Sequence, residues 1–364
     1  MRIVVDINHP AHVHYFKNFI WEMERRGHEL LITASEKEIS YTLLDNYGFS
    51  YVKIGNYGRS LIQKFLNIPW LDQKMYRAVK PFHPDLFMGF GSIRAAHVSK
   101  ILSKPCIALD DTEHAKWEHM LYVPFTDAIL TPACFKKEFG NKHVRYNGYT
   151  ELQYLHPNQF TPDPGVLNGI GLTKDDRFTV IRFVSWQASH DMRQYGVRDR
   201  VGLVKELEQY GQVLIPSEGT LQPQLEKNKI YIPPEKLHDL LFYATLYLGE
   251  GGTMASEAAM LGTPSIYVSS LAGTMGNFIE LEETYDLLYS FTDDDAAIIK
   301  AKQILGDTSS KQNWRRKRDR LLDEKIDTTA FLVWFVENYP RSLSDKKQQP
   351  DKQCQHGYIL KDPS

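Results

Sequence analysis

Short apolar runs alternate with longer stretches of helical spacing along most of the chain. Residues 2–7 (RIVVDI) predict a buried strand, and 8–11 a polar, proline-containing break. From 13 to 26 the apolar positions Val13, Phe16, Phe19, Ile20 and Met23 follow a helical period, with Gly27 placed to end the helix. Strands are expected at 29–34, 51–54, 85–89, 106–110 and 127–131, and a helix at 93–102. Ser35 is expected to cap a helix with Glu38 at the capping-box position, and Pro132 to begin another. The pattern breaks over 148–165, which holds Pro157, Pro162 and Pro164, and then restarts. Strands are predicted at 178–184, 212–216, 230–232, 246–249 and 265–268. Helices are predicted at 201–210, 237–243, 254–261, 294–305, 314–323 and 327–338. The polar stretch 341–364 reads as a disordered tail.

Alternating strands and helices imply βαβ units and parallel sheets, an α/β class. At 364 residues the chain exceeds the ~250–300 at which a single core stops growing. The break therefore divides two Rossmann-like domains, 1–150 and 165–325, followed by a helix at 326–340. In such sheets ligands sit at the carboxyl ends of the strands, so the expected site is an interdomain cleft. Charge narrows the partners. Forty-three Lys and Arg against 45 Asp and Glu leave a net charge of -2, which argues against a nucleic-acid binder. The three cysteines form no CxxC pair, which disfavours a disulfide framework and a cysteine zinc site. The first residues lack a signal peptide's apolar core, and no apolar run approaches the ~18 residues that span a bilayer. A cytoplasmic protein is expected.

The stretch Gly249-Glu250-Gly251-Gly252-Thr253-Met254-Ala255-Ser256-Glu257 carries the most chemistry. A strand ends, a glycine turn exposes backbone N–H groups, and a helix begins near Thr253. Unpaired amides and the positive end of the helix dipole make such a turn an anion site. Gly251 and Gly252 admit a diphosphate, Thr253 can cap the helix and bond a phosphate oxygen, and Glu257 can accept hydrogen bonds from ribose hydroxyls. The glycine pair alone is equally a tight strand-to-helix turn; the whole string, continuing to Gly262-Thr263-Pro264, is far more specific.

That string resembles the nucleotide-sugar motif of the C-terminal domain of GT-B-fold proteins, which include nucleotide-sugar glycosyltransferases and non-hydrolysing UDP-GlcNAc 2-epimerases. The N-terminal stretch Asp6-Ile7-Asn8-His9-Pro10-Ala11-His12-Val13-His14-Tyr15-Phe16-Lys17-Asn18 most resembles a GT-B-like family known as a domain of unknown function. The resemblance implies two facing Rossmann-like domains, a C-terminal crossover helix, and a nucleotide-activated sugar, UDP-linked, as the ligand. In resembling transferases a histidine at the start of the first helix is the proposed base, and His12 best matches that place, with His9 beside it. In the 2-epimerases a catalytic Glu follows the strand that here ends at Asp110. Glu113 and, less clearly, Asp111 match it, while the preceding epimerase acid has no counterpart in Gly89–Arg94. The loop after the first strand of the second half implies phosphate contacts from Arg182 and Ser185 and sugar contacts or acid–base work from His190, with Ser217 a further member.

Alternatives remain at each point. His12-x-His14 invites a metal reading, but a helix splays those rings about 200° apart, poor for one ion. Asp111 or Thr112 could simply cap a helix at 113–122. The basic segment 311–320 is either a solvated helix face or a contact with anionic membrane at the inner face, as a lipid-linked acceptor would need. No GxxxxGK[ST] is present and no GxGxxG follows the first strand, which disfavours P-loop and NAD chemistry. The leading expectation is inverting glycosyl transfer from a nucleotide sugar to a sugar or lipid-linked acceptor in cell-surface polysaccharide synthesis, without metal or further cofactor. The alternatives are 2-epimerisation, binding without turnover and, remotely, metal-dependent hydrolysis.

Overall fold

Residues 2–7, apolar on both faces, lie where such a strand must lie, inside a parallel sheet. The computed structural model describes residues 1–58, 61–183, 196–217 and 219–348. They form two compact units, Met1–Gln159 with the chain from Glu324 onward, and Phe160–Asp323.

The first unit holds a seven-stranded parallel sheet of order β3-β2-β1-β4-β5-β6-β7. Its strands are β1 (Arg2–Ile7), β2 (Glu29–Ala34), β3 (Tyr51–Lys53), β4 (Leu86–Phe90), β5 (Cys106–Leu109), β6 (Ala128–Pro132) and β7 (His143–Tyr146). Its helices are α1 (Pro10–Arg25), α2 (Ser40–Asn46), α3 (Leu61–Val79), α4 (Ile93–Ile101), α5 (Lys116–Tyr122) and α6 (Leu152–Leu155). Val4, Phe87, Ala108 and Ile129 from the sheet pack with Leu71, Met75 and Val79 of α3 and with Ala95, Ala96 and Val98 of α4. Gly27, just past α1, has φ +83, a conformation that favours glycine. At Gly89 a Cβ would lie 2.6 Å from that of Ser92, so only glycine lets β4 turn into α4 here.

The second unit holds a six-stranded sheet of order β10-β9-β8-β11-β12-β13, also parallel. Between its strands β8 (Phe178–Arg182), β9 (Gln212–Pro216), β10 (Lys229–Ile230), β11 (Leu246–Gly249), β12 (Ser265–Val268) and β13 (Leu288–Phe291) run its helices. These are α7 (Gly165–Asn168), α8 (Arg200–Leu207), α9 (Leu237–Tyr243), α10 (Gly252–Met260), α11 (Gly276–Ile279), α12 (Asp294–Gly306) and α13 (Ser310–Glu324). The chain then rejoins the first unit through α14 (Thr328–Glu337), which packs on α1 and α6. Thr328 and Thr329 donate from α14 to the main chain of Tyr149 and Gln153.

Several expectations are corrected. Residues 341–348, predicted as disordered tail, form a helix, α15 (Arg341–Gln348), whose buried Ser342 donates to Phe335 O at 2.7 Å; residues 349–364 lie outside the described residues. Ser35 caps nothing. It donates to Asn8 and accepts from Arg94, and α2 begins only at Ser40, after Glu38 with φ 48. Pro132 ends β6 rather than starting a helix. The helix expected at 113–122 begins at Lys116, with no side-chain cap. The basic helix α13 spends four of its six cations on its own unit. Lys311 and Lys317 donate to the carbonyls of Tyr243 and Asp286, Arg320 to that of Thr284, and Arg315 lies over Phe242. Among the described residues, no helix is long and apolar enough to cross a membrane.

Candidate functional site

In the first unit the chemistry gathers at the carboxyl ends of the strands. β1 leads directly into α1, whose N-cap is His9: its Nδ1 accepts the Ala11 N–H at 3.2 Å. His12 sits in the first turn, its ring 5.0 Å from that of Phe90 at the end of β4. Its Nδ1 accepts the Asn8 N–H at 3.3 Å. A neutral imidazole that accepts at Nδ1 carries its proton on Nε2, so His9 and His12 both present N–H donors. Burial, then Lys37, brings the His9 pKa down to about 3; burial, then His9 and Lys37, holds His12 well below its ordinary value. Both rings are therefore neutral at physiological pH. His14 turns inward, bonded to Tyr47 Oη at 3.2 Å and stacked on Tyr154. Among the described residues, no group of three or more His, Cys, Asp or Glu converges as a metal site would require.

Beneath this loop lies a polar core that the sequence reading missed. Asp6 and Arg94 are both fully buried and paired at 2.7 Å. Asp6 also accepts from Thr33 (2.6 Å), Ser92 (2.5 Å) and the Asn8 amide (2.9 Å). Arg94 Nη1 donates to Ser35 Oγ at 2.8 Å, and Ser35 in turn donates to Asn8. The ion pair thus fixes Asn8 by its side chain, and Asn8 fixes the His12 ring by its main chain.

After β5 come Asp110, Asp111 and Glu113. Asp110 is buried. Its Oδ2 accepts from His119 Nε2 at 2.8 Å and, in a short bond, from Tyr122 Oη, and its Oδ1 accepts the Thr112 N–H. Lys137 Nζ donates to His119 Nδ1 at 3.1 Å, which leaves the Nε2 proton pointing at Asp110. Asp111 differs: Thr112 Oγ1 donates to it at 3.0 Å, and burial, then Glu151 and Asp110, raises its pKa to about 8. Glu113 Oε1 accepts the Lys136 N–H at 3.4 Å, at the edge of hydrogen-bond range.

In the second unit β11 ends at Gly249 and α10 opens at Gly252, with Gly251 as N-cap. The Glu250 N–H is taken by Arg182 O at 3.1 Å and the intrahelical ladder starts with Ala255 N–H to Gly251 O at 3.2 Å, so the amides of Gly251, Gly252 and Thr253 belong to the partly exposed turn. Thr253 does not cap the helix; its side chain is exposed. Glu257, one turn on, is buried, with Oε1 3.0 Å from His238 Nε2 on α9. Glu250 is buried too: it accepts the Val197 N–H at 2.8 Å and pairs with Arg200 at 3.1 Å, tying the glycine turn to the start of α8. Arg182 Nη1 donates to Pro216 O at 2.5 Å, and Ser217 Oγ to Gly219 O at 3.4 Å, both at strand ends on the same edge. Ser185 and His190 lie outside the described residues.

The β1 loop with its histidines and the β11–α10 turn both lie within the stretch that matches a known family. The chain belongs to the family described as Protein of unknown function (DUF354), which matches residues 1–331. A relative, an uncharacterised protein of Methanocaldococcus jannaschii, is 26% identical over 290 residues, 76% of this chain and 84% of its own length. Among solved structures, the fold is similar to that of UDP-GlcNAc 2-epimerase from Neisseria meningitidis bound to UDP-GlcNAc (TM-score 0.63, 12% identity, 93% of this chain and 100% of that one). It is similar to the S. aureus MnaA–UDP complex (0.66, 9%, 94% and 97%). It also resembles the glycosyltransferase SsfS6 of Streptomyces sp. SF2575 with thymidine diphosphate (0.61, 14%, 93% and 99%). The two parallel-sheet, Rossmann-like units are those of the GT-B proteins, an α/β fold.

Proposed function

We propose that this protein is an enzyme that uses a nucleotide-activated sugar, UDP-linked, and transfers the glycosyl group to a hydroxyl acceptor with inversion. The observation that carries this reading is the turn Gly251–Thr253 at the N-terminus of α10, whose amides lie ahead of the helical ladder and, with the helix dipole, suit a diphosphate. Arg182, at the end of β8, adds a cation on the same sheet edge. Buried Glu257, oriented by His238, is assigned to the ribose hydroxyls. The relatives of like fold that hold UDP-GlcNAc, UDP and thymidine diphosphate support the ligand class.

The proton acceptor in this reading is Asp111. A base works best with a pKa near the operating pH, and Asp111, at about 8, meets that condition. His12, first matched to the role, offers an Nε2–H donor instead, suited to holding an anionic or carbonyl oxygen. In the step, the acceptor oxygen attacks the anomeric carbon, the bond from that carbon to the diphosphate oxygen breaks, UDP leaves with the electron pair, and the acceptor proton passes to the Asp111 carboxylate.

Calorimetric titration with UDP and UDP-sugars tests the first half: wild type binds, and Glu257→Ala weakens binding by roughly tenfold or more, as expected when a buried hydrogen-bonding partner is lost. Equal affinity in the variant removes Glu257 from the site. For the second half, UDP release with an acceptor should rise with pH through about 8 in wild type and be lost in Asp111→Asn. An Asp111 carboxyl raised by burial and by the charges of Glu151 and Asp110 equally suits the acid–base work of 2-epimerisation, which is distinguished by interconversion of the UDP-sugar without any acceptor.

A further inference from the structure

α3 is apolar on two faces. Leu71, Met75 and Val79 are buried in the core, while Phe65, Leu66 and Trp70 are 43%, 73% and 54% exposed. A surface helix ordinarily keeps its outer face polar. The exposed set continues onto α5, where Trp117 and Met120 are 59% and 66% exposed. The two helices meet at this point: the Phe65 and Trp117 rings lie edge to face with centroids 6.4 Å apart. Three aromatic side chains, a leucine and a methionine thus form one apolar patch, more than scattered single residues would explain.

The charge around the patch is unlike that of the whole chain. α3, the helical turn after it and α5 carry Lys74, Arg77, Lys80 and Lys116 against Asp72 and Glu118, whereas the chain as a whole has a net charge of -2. Asp72 is engaged with His97 Nδ1 at 2.7 Å. Lys74 lies over the Trp70 ring at 5.2 Å and Lys80 over Tyr76 at 5.2 Å. Protein interfaces are depleted in lysine. Tryptophans and bulky aliphatics rimmed by lysines instead suit the boundary between acyl chains and anionic headgroups.

We propose that the face formed by α3 and α5 docks on an anionic lipid bilayer, with Phe65, Leu66, Trp70, Trp117 and Met120 entering the headgroup boundary and the lysines meeting lipid phosphates. This inference rests on the first unit alone and is independent of the nucleotide reading. It also moves membrane contact from α13, where Lys311, Arg315, Lys317 and Arg320 are engaged within their own unit, to a surface where apolar and basic groups coincide.

The test is co-sedimentation of the full chain with vesicles of phosphatidylcholine alone and of phosphatidylcholine with phosphatidylglycerol. Wild type should bind the anionic vesicles about tenfold better than the neutral ones, with a blue shift in tryptophan fluorescence and a loss of binding at high salt. Leu66→Ser with Trp117→Ser should lower that affinity by about tenfold or more, since burial of apolar area drives insertion. Lys74→Gln with Lys116→Gln should lower it by about tenfold or more through the lost attraction to headgroups. The substituted positions are exposed, and unchanged circular dichroism and unfolding midpoints confirm that the variants fold. Equal binding to both vesicle types, no binding to either, or a self-association abolished by Leu66→Ser with Trp117→Ser would each overturn the proposal. Failure of UDP to bind would leave it standing.

Discussion

The Asp6–Arg94 pair shows what a single buried charge does for a loop. Both groups have left water entirely, and three further donors complete the carboxylate shell of Asp6. The arrangement stabilises only as a set, because each partner alone is an uncompensated buried ion. Arg94→Met should therefore destabilise the protein by about 3–5 kcal/mol in urea unfolding. It should also release Ser35 and Asn8, and with them the His12 ring. The sequence showed Asp6 and Arg94 only as a residue within a strand and a residue eighty-odd positions later. Nothing in their spacing says that β1 and α4 bring them together. Asp111 was legible as one of several acids after a strand, but its raised pKa comes from burial in the packed fold and then from Glu151, which arrives after β7.

At the scale of elements, the glycine turn before α10 separates two functions of glycine. At Gly249 a Cβ would lie 2.3 Å from the Tyr247 hydroxyl and 2.9 Å from the Arg182 carbonyl, so Gly249→Ala should destabilise by about 1–3 kcal/mol. At Gly252 the nearest atom is a Phe278 ring carbon at 3.4 Å, an ordinary contact, and alanine is the better helix former. Gly252→Ala should thus leave the unfolding stability within about 1 kcal/mol of wild type while weakening UDP binding, if the diphosphate sits at this turn as proposed. Strands and helices with clean periods were read to the residue: β9, β11, β12 and α9 fall where the pattern placed them. Those missed have physical reasons. α3 is apolar on two faces and contains Pro69, so its helical period is blurred. β7 and β13 are edge strands, short and partly exposed, without the continuous apolar run of a central strand.

For the molecule as a whole, the perturbed groups set how stability follows pH. The His9 pKa is depressed to about 3, so its contribution is full above the unfolded value near 6.5 and is lost as pH falls toward 3. Asp111 has the opposite sign. Its pKa is raised to about 8, so the folded state is favoured by its neutral form below the ordinary carboxylate range, and that advantage is lost as pH rises toward 8. Wild type should therefore lose stability relative to Asp111→Asn between pH 5 and pH 8, and relative to His9→Asn as pH falls from 6.5, in urea midpoints measured across that span. A flat difference for either variant removes the corresponding shift.

The sequence by itself determined the class of fold, the number of α/β units, the glycine turn before α10 and the cluster of ionisable residues at strand ends. These are local properties: period, turn chemistry and residue type act over a few positions. Tertiary structure decided which of those residues can do what. It bound the Nδ1 of His12 to a backbone amide and so made the ring a donor. It set Glu257 against His238, joined Asp6 to Arg94, and placed Phe65 beside Trp117 on an apolar surface. Protonation state and exposure depend on partners brought in from distant parts of the chain, and only the packed fold supplies them.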